Sequence, residues 1–350
     1  MTGIARALVV LVLLPLAAIP AAGQWPRYPV SGIPRAPDGK PDLDGPVPRL
    51  ADGKPDLSGM WSLFMSTAYA LNIVADEKAE HTLPWAAGYY KQQMLDLGKN
   101  DPNTIGCLPM GPRRLTGGGL TKIIHTPSLM VMLSEDLTYR QIFLDGRPLP
   151  RDPQPSFMGY SVGHWDGDTL VVESAGFNDR TWLDMGGHPH TEALHTTERF
   201  RRTAFGRMDL TVRLDDPKAY AAPWTVRVNV TLAPGTEFIE YVCGESEKSE
   251  HLVGRSEQEK KVVVARETLE KYVGTYEATP RGSVYRVTLS GGELFLDIDG
   301  KGHIPFVLLS ENSFSPRLGG TFVFYTNDRG EVTHLVAEGA DAVITAVRKN

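Results

Sequence analysis

Three of the nine histidines of this chain fall within one short stretch, at His188, His190 and His195. Side chains of an extended strand alternate between its two faces, so His188 and His190 would point to the same side. Imidazole and carboxylate groups suit zinc, iron or manganese. These histidines and Glu192 are therefore candidate ligands of a divalent metal ion. The alternative is a loop whose histidines cap turns, because spacing alone does not define a ligand set.

The same stretch contains residues that could carry general acid–base catalysis. His195 and Glu198 could exchange protons near neutral pH, and Asp179 and Asp184 supply further carboxylates on either side of Trp182. These four ionisable residues are the catalytic candidates of a hydrolase or lyase, with or without a metal ion. An aromatic ring between carboxylates also suits a sugar or aromatic ligand. The alternative is a tryptophan that anchors the loop in the core.

The strand predicted over residues 192–201 has no purely apolar face. Glu198 and Arg199 would point to opposite faces, so one charged side chain would lie inside a barrel built from this strand. Charges in a barrel interior need a partner or a ligand. The alternative is that both residues form salt bridges at the rim of the barrel.

A binding function depends on aromatic and basic side chains that would surround the open end of a barrel. The residues predicted to contact the ligand are Trp61, Arg140, Tyr160, His164, Trp182 and Arg199. The expected ligand is a small molecule that is partly apolar or sugar-like, and its identity stays open.

Alternating apolar and polar residues predict the strands that must position these side chains. Residues 208–215 and 224–232 place an apolar side chain at every second position, which is typical of a strand with one buried and one solvated face. Consecutive hairpins of this kind close most simply as an antiparallel up-and-down barrel or a tight sandwich. Further strands are predicted at 57–63, 121–125, 129–134, 138–144, 157–165, 169–174, 192–201, 236–243, 284–289, 293–298, 304–309, 321–325, 332–337 and 342–347, with a helix within 76–99.

Length and composition favour an all-β protein with two domains. The chain has 350 residues, and its 35 glycines and 26 prolines indicate many turns and few long helices. A Pro- and Gly-rich arm contains a short tandem repeat, with Asp38–Leu43 and Asp52–Leu57 identical. We expect this arm to run over the surface in an extended form. The predicted ranges are a signal peptide at 1–23, the arm at 24–57, a β-barrel domain with the candidate site at 58–243, a charged linker at 244–266 and a small β domain at 267–349.

The N-terminus has the pattern of a cleavable signal peptide. Arg6 precedes an apolar run, and small residues end at Gly23. The apolar run is interrupted by Pro15 and Pro20 and is short for a bilayer of about 30 Å, although a retained anchor is the alternative. Removing one basic residue changes the net charge from −6 to −7, which argues against nucleic acid or an anionic membrane as a partner. We expect a periplasmic or secreted protein with no further transmembrane segment.

Cys107 and Cys243 are the only two cysteines. In an oxidising compartment an even pair predicts a disulfide. The alternative is two separate buried thiols. Neither cysteine has the companion spacing of a zinc site.

Two sequence resemblances extend this interpretation to the fold. Gly59-Met60-Trp61 and Gly274-Thr275-Tyr276 resemble the Gly-x-aromatic opening of lipocalin-like barrels. Residues 267–349 resemble the lipocalin-like domain appended to serine hydrolases of the class C β-lactamase type, through segments 269–276, 291–296, 314–324 and 330–335. That resemblance implies an accessory domain, and the Ser-x-x-Lys nucleophile motif of those hydrolases does not occur in this chain.

Residues 50–243 resemble a family of exported bacterial proteins of unknown function. The resemblance is carried by segments 52–61, 140–150, 163–173 and 187–195, and it implies no activity. Together the two resemblances imply two antiparallel lipocalin-like barrels, a larger N-terminal one and a small C-terminal one. The first functional hypothesis is an exported protein that binds a small ligand; the alternatives are the hydrolase or lyase and a cell-envelope interaction module. The oligomeric state stays open.

Overall fold

Two closed β-barrels form most of the structure, as a computed structural model of the chain shows. The described residues are 32–64, 67–96, 99–117, 119–237, 239–243, 264–279, 282–300, 304–316, 321–338 and 343–349. The predicted signal peptide and residues 244–263 of the predicted linker lie outside them. The all-β prediction with two barrels is confirmed.

The N-terminal barrel has nine strands in sequential order, and β1 pairs with β9 to close it. The strands are β1 Gly59–Phe64, β2 Gly119–His125, β3 Leu129–Ser134, β4 Tyr139–Phe143, β5 Tyr160–Asp166, β6 Thr169–Ala175, β7 His195–Ala204, β8 Arg207–Asp215 and β9 Trp224–Leu232. Alternation fills the interior as predicted, since every second residue of β8 and of β9 is buried.

One seam of this barrel differs from the rest. β4 and β5 are parallel and pair only at Ile142 with Ser161 and at Phe143 with Val162, whereas all other neighbours are antiparallel. The chain before β5 bonds elsewhere, because Ser156 exchanges backbone hydrogen bonds of 2.9 Å with residues 176 and 178. The first half of β4 therefore has no strand partner on this side among the described residues, and the barrel wall is open there.

Two long connections cover the barrel end at which β4 and β5 begin. They contain the helices α1 Thr67–Leu71 and α2 Pro84–Leu95, a 3-10 turn at Ala79–His81, and the loop 176–194. We call residues 67–95 and 176–194 the plug. Its two parts are joined by hydrogen bonds from Met185 N to Ala70 O and from Ile73 N to Asp184 Oδ2, both 2.8 Å. A further short helix, α3 Arg113–Thr116, precedes β2.

The predicted helix within 76–99 is shorter than expected. Proline occupies its first position, where a missing N–H costs nothing, and α2 ends at Leu95. The preceding residues form the 3-10 turn instead. Only part of the aromatic segment is therefore helical.

The repeated arm folds into two similar hairpins rather than an extended segment. Residues Arg35 and Pro41 form a β-bridge, as do Arg49 and Pro55. In each hairpin the arginine donates a hydrogen bond to the carbonyl of the Asp-Gly turn, at 2.7 and 2.8 Å. Asp-Gly favours a tight turn, which outweighs the extended bias of Lys-Pro.

The C-terminal barrel follows a short helix, α4 Arg266–Tyr272, and has eight strands that are all antiparallel. They are β10 Gly274–Thr279, β11 Val284–Ser290, β12 Glu293–Ile298, β13 Ile304–Leu308, β14 Ser313–Pro316, β15 Thr321–Thr326, β16 Val332–Glu338 and β17 Val343–Lys349. Aromatic side chains fill the interior, where ring contacts link Phe322 to Phe306, Phe306 to Phe314 and Phe314 to Phe324. The sequence did not predict β14.

The strand predicted at 236–243 is wrong for the described part of that range, which contains no strand. β9 already pairs with β1 and β8, so the closed barrel has no free edge for a tenth strand. Tyr241 N instead donates to Glu135 O at 2.9 Å. The segment ends at Cys243.

Cys107 and Cys243 form the predicted disulfide, with Cα atoms 5.6 Å apart. Disulfides persist mainly in oxidising compartments, so the bond indicates an environment outside the cytoplasm. Among the helices of the described ranges, none combines the length and the apolar character needed to cross a membrane.

Candidate functional site

A cleft of about 460 Å³ lies at the open seam between β4 and the chain before β5. Its walls are mainly aromatic and apolar, formed by Leu137, Tyr139, Phe143, Phe157, Met158 and Tyr160. Arg140 and Ser161, both buried, also line it. The cleft thus combines apolar walls with a polar floor.

One wall of the cleft is held by stacked rings and a guanidinium group. The rings of Phe143 and Tyr160 stack with centroids 5.3 Å apart. Arg147 lies over Phe143 at 3.9 Å and donates to Tyr160 Oη at 3.1 Å. Asp145 accepts hydrogen bonds from Arg147, which lower the pKa of that carboxyl. The charges at this rim are therefore paired with each other.

Arg140, at the floor of the cleft, belongs to a buried ion pair inside the barrel. Arg140 Nη1 donates to Glu198 Oε1 at 3.0 Å, and Nη2 donates to Glu198 Oε2. The same guanidinium donates to Ser161 Oγ at 3.0 Å and to Ser174 Oγ at 2.9 Å. Glu198 is fully buried. A bidentate pair with further hydrogen bonds is the arrangement in which buried charges are tolerated.

Hydroxyl groups surround this pair within the interior. Ser161, Ser174 and Thr196 are direct neighbours across β5, β6 and β7, and the two serine oxygens lie 2.9 Å apart. Thr196 Oγ1 and Thr121 Oγ1 are buried without a hydrogen-bond partner in the described structure. Thr121 lines a small cavity that also includes Arg140, so Arg140 borders both this cavity and the cleft.

The ligand residues predicted from the sequence do not form one group. Arg140 and Tyr160 line the cleft. Trp61 is buried, with its Nε1 bonded to Leu57 O at 2.9 Å, and His164 is exposed on β5. Trp182 is buried in the plug.

Trp182 and Arg199 make structural contacts: Trp182 packs in the core, and Arg199 forms a salt bridge. Trp182 Nε1 donates to Tyr89 Oη at 3.1 Å, so its ring anchors the loop in the core. Arg199 is exposed and forms a salt bridge of 2.7 Å with Asp166 at the outside of the barrel. Neither side chain is among the residues that line the cleft.

His188 and His190 are buried separately within the plug. His188 Nδ1 lies 2.5 Å from Asp184 Oδ2, and the imidazole stacks on Tyr90 with centroids 3.7 Å apart. His190 Nε2 lies 3.0 Å from Thr181 Oγ1. Burial lowers the pKa of His190 to about 4, so this ring is neutral at neutral pH.

The other predicted metal ligands point elsewhere. Glu192 and His195 are exposed, whereas His188 and His190 are buried. Across the described ranges no group of three or more histidine, cysteine, aspartate or glutamate side chains is placed to hold a metal ion. The geometry gives this predicted ligand set no support, and metal binding stays a prediction.

The predicted catalytic residues are also dispersed. His195 and Glu198 lie on opposite faces of β7, one exposed and the other buried. Asp179 is exposed, while Asp184 accepts backbone hydrogen bonds from residues 187 and 188 at 2.9 and 3.1 Å. Glu198 is held by Arg140. Catalysis by these residues stays a prediction.

Several residues of the cleft were missed because nothing local in the sequence marks them. Phe143, Phe157 and Met158 come together only because the chain crosses between β4 and β5. One signal was available: Arg140 shares a face with Ile142, and Glu198 shares one with Phe200. Opposite charges on the inward faces of two strands of one barrel indicate a buried pair.

Comparison with models of known protein families finds no match to this chain. A search of curated protein sequences finds no match either.

Proposed function

We propose that this protein binds a small, partly apolar molecule in the cleft between β4 and β5. The observation that carries the proposal is an opening in the barrel wall with aromatic sides over a buried polar floor. Its volume of about 460 Å³ falls in the usual range for small-molecule sites, which combine apolar walls with a few placed polar groups.

Burying the exposed wall residues against a ligand would favour binding. Tyr139 is 62% exposed and Leu137 is 60% exposed at the mouth of the cleft. Exposed apolar groups gathered around a cavity are typical of binding sites, and burying them against a ligand contributes about 25 cal/mol per Å². The interior behind the floor is filled by side chains, so the ligand would bind at the wall.

The setting we propose is periplasmic or secreted. The disulfide between Cys107 and Cys243 supports an oxidising compartment, and the signal-like N-terminus supports export. The resemblance to lipocalin-like barrels agrees with a binding role, since barrels of that kind hold one small ligand.

A matched pair of tyrosine variants tests the proposal. Thermal-shift screening of the mature chain against uncharged aromatic compounds should yield ligands that raise Tm. Tyr139→Ala should weaken their binding about tenfold, because an aromatic wall is lost. Tyr325→Ala is the control, because Tyr325 is an exposed tyrosine on the other barrel. Equal affinity in both variants would place the ligand elsewhere, and a screen without any ligand would refute the proposal.

A further inference from the structure

The hydrogen-bond donors of the cleft floor are not all used. A guanidinium has five N–H donors. In Arg140, Nε donates to Ser161, one N–H of Nη1 donates to Glu198, and Nη2 donates to Ser174 and Glu198. One N–H of Nη1 therefore has no acceptor among the described residues, on a side chain that lines the cleft.

The serine pair also has a donor to spare. Ser161 Oγ and Ser174 Oγ each accept from Arg140, and one hydroxyl donates to the other at 2.9 Å. Each hydroxyl carries a single hydrogen, so one of the two hydrogens has no acceptor within the described ranges. Arg140 and Ser161 both line the cleft, so N–H and O–H groups without an acceptor among the described residues lie at its floor.

The charge of the floor is already neutralised. Of the described residues that line the cleft, Arg140 alone is charged, and Glu198 holds it in a bidentate pair. The nearby Arg147 is paired with Asp145. A carboxylate ligand would lose its hydration without meeting an unpaired positive charge, and burying a charge in that way is costly.

From these donors and this charge balance we propose that the cleft selects uncharged ligands with an acceptor oxygen, such as a ketone, ester or ether, on a flat apolar body. The inference rests on the proposed ligand binding and names its ligand class. The acceptor oxygen would take the spare N–H of Arg140, while the body would lie between Tyr139, Phe143 and Phe157.

Three probes of similar shape test this selectivity in the mature full chain. They are methyl naphthyl ketone, which has a neutral acceptor, naphthoate, which has a charged one, and ethylnaphthalene, which has none. Equilibrium dialysis should show the ketone bound about tenfold more tightly than either of the others, since a hydrogen bond from a charged donor gives at least this preference.

Variants of the floor identify the donor. Arg140→Met combined with Glu198→Leu removes both charges, and should bring the ketone to within about twofold of ethylnaphthalene without weakening ethylnaphthalene. Ser161→Ala keeps the test available if the double variant does not fold; it should reduce the ketone preference alone, by about threefold.

The outcomes separate this inference from the proposed function. Ethylnaphthalene bound as tightly as the ketone, or naphthoate bound most tightly, would overturn the selectivity while leaving the binding function intact. Failure of all three probes to bind would overturn both. A ketone preference unchanged in both variants would also overturn the assignment of the donors.

Discussion

Both barrels begin with glycine, one intervening residue and an aromatic side chain, and in both an arginine covers that ring. Arg202 lies 4.9 Å from the ring of Trp61 in the first barrel, and Arg348 lies 6.0 Å from the ring of Tyr276 in the second. Each arginine donates to backbone carbonyls, including Phe205 O and Val273 O. The same arrangement of arginine and aromatic ring therefore occurs in both barrels.

The interiors differ. All buried polar or charged side chains of the described ranges, tyrosines apart, lie in the N-terminal part of the chain, and none lies after residue 264. The second barrel is antiparallel throughout and closes around aromatic side chains. The first has a parallel seam with two paired positions, a cleft beside it and an ion pair behind it. An opening in a barrel wall thus occurs where the interior carries polar groups that a ligand could reach.

The largest test of this difference removes one charge from the first barrel. Glu198→Leu leaves Arg140 buried without its partner, and we expect a loss of about 3–5 kcal/mol in the free energy of unfolding. All six tryptophans precede residue 244, so tryptophan fluorescence in a urea titration does not report on the C-terminal barrel.

The double variant Arg140→Met with Glu198→Leu is the control for this loss. It should lie within about 1 kcal/mol of the unchanged protein, because apolar residues of similar volume often replace a buried ion pair at little cost. A single variant as stable as the double one would contradict this expectation. The interior of the first barrel would then tolerate an unpaired Arg140, and the ion pair would not distinguish it from the interior of the second barrel.

The stabilities of the two barrels should also respond differently to acidic pH. Burial lowers the pKa of His190 to about 4 from an ordinary 6.5, so the unfolded chain takes up a proton more readily than the folded one. The free energy of unfolding is therefore unaffected by this group above pH 6.5. It falls by about 3 kcal/mol as the pH falls from 6.5 towards 4. Burial lowers the pKa of His125 as well, and this adds to the same trend.

Peptide-resolved hydrogen exchange between pH 7 and 4 checks this expectation. Protection, corrected for intrinsic exchange rates, should fall in the N-terminal barrel and change less in the second, where no histidine of the described residues is buried. His190→Gln should flatten the pH dependence of the first barrel. Equal losses in both barrels would contradict the assignment to His190.

Local patterns predicted most of the fold, and long-range connections decided the rest. The strands at 208–215 and 224–232 follow from alternation within each segment, and the disulfide follows from there being two cysteines. The parallel seam could not be predicted, because it depends on Ser156 bonding to residues 176 and 178. The cleft was missed for the same reason, although two of its residues, Arg140 and Tyr160, were among the predicted ligand contacts.

The histidine cluster shows why spacing within a loop was a poor guide. His188 and His190 are close in sequence, but the turn at Asp184–His188 buries them against different partners, Asp184 and Thr181. Asp184 accepts the backbone N–H of residues 187 and 188, so it is required by the turn itself. Residue types that suit a metal site serve here to hold the plug together.

The plug belongs to the first barrel, and a substitution within it should change the free energy of unfolding by less than the two preceding changes. A Cβ atom at Gly186 would lie 1.9 Å from Leu71 O, so Gly186→Ala should cost about 2 kcal/mol by forcing the two parts of the plug apart. Gly88→Ala is the matched control, because that helical position has open space and alanine is favoured there by about 0.5–1 kcal/mol. Urea titrations of both variants should shift in opposite directions; a shift in the same direction would mean that the plug adapts.

The smallest expected effect concerns one residue in the left-handed backbone region in each barrel. Leu137 has φ of +61° at the mouth of the cleft, whereas Asp299 has φ of +56° in a turn of the second barrel. Aspartate tolerates this conformation, and Asp299 Oδ1 accepts a hydrogen bond from Val284 N at 2.7 Å; leucine is strained there and gains little from burial. Leu137→Asn should therefore raise the free energy of unfolding by about 0.5 kcal/mol. It should also lower the affinity for the ligands found for the cleft. Asp299→Asn should change neither, and a Leu137→Asn variant that binds as well as the unchanged protein would show that the strain at Leu137 does not serve the cleft.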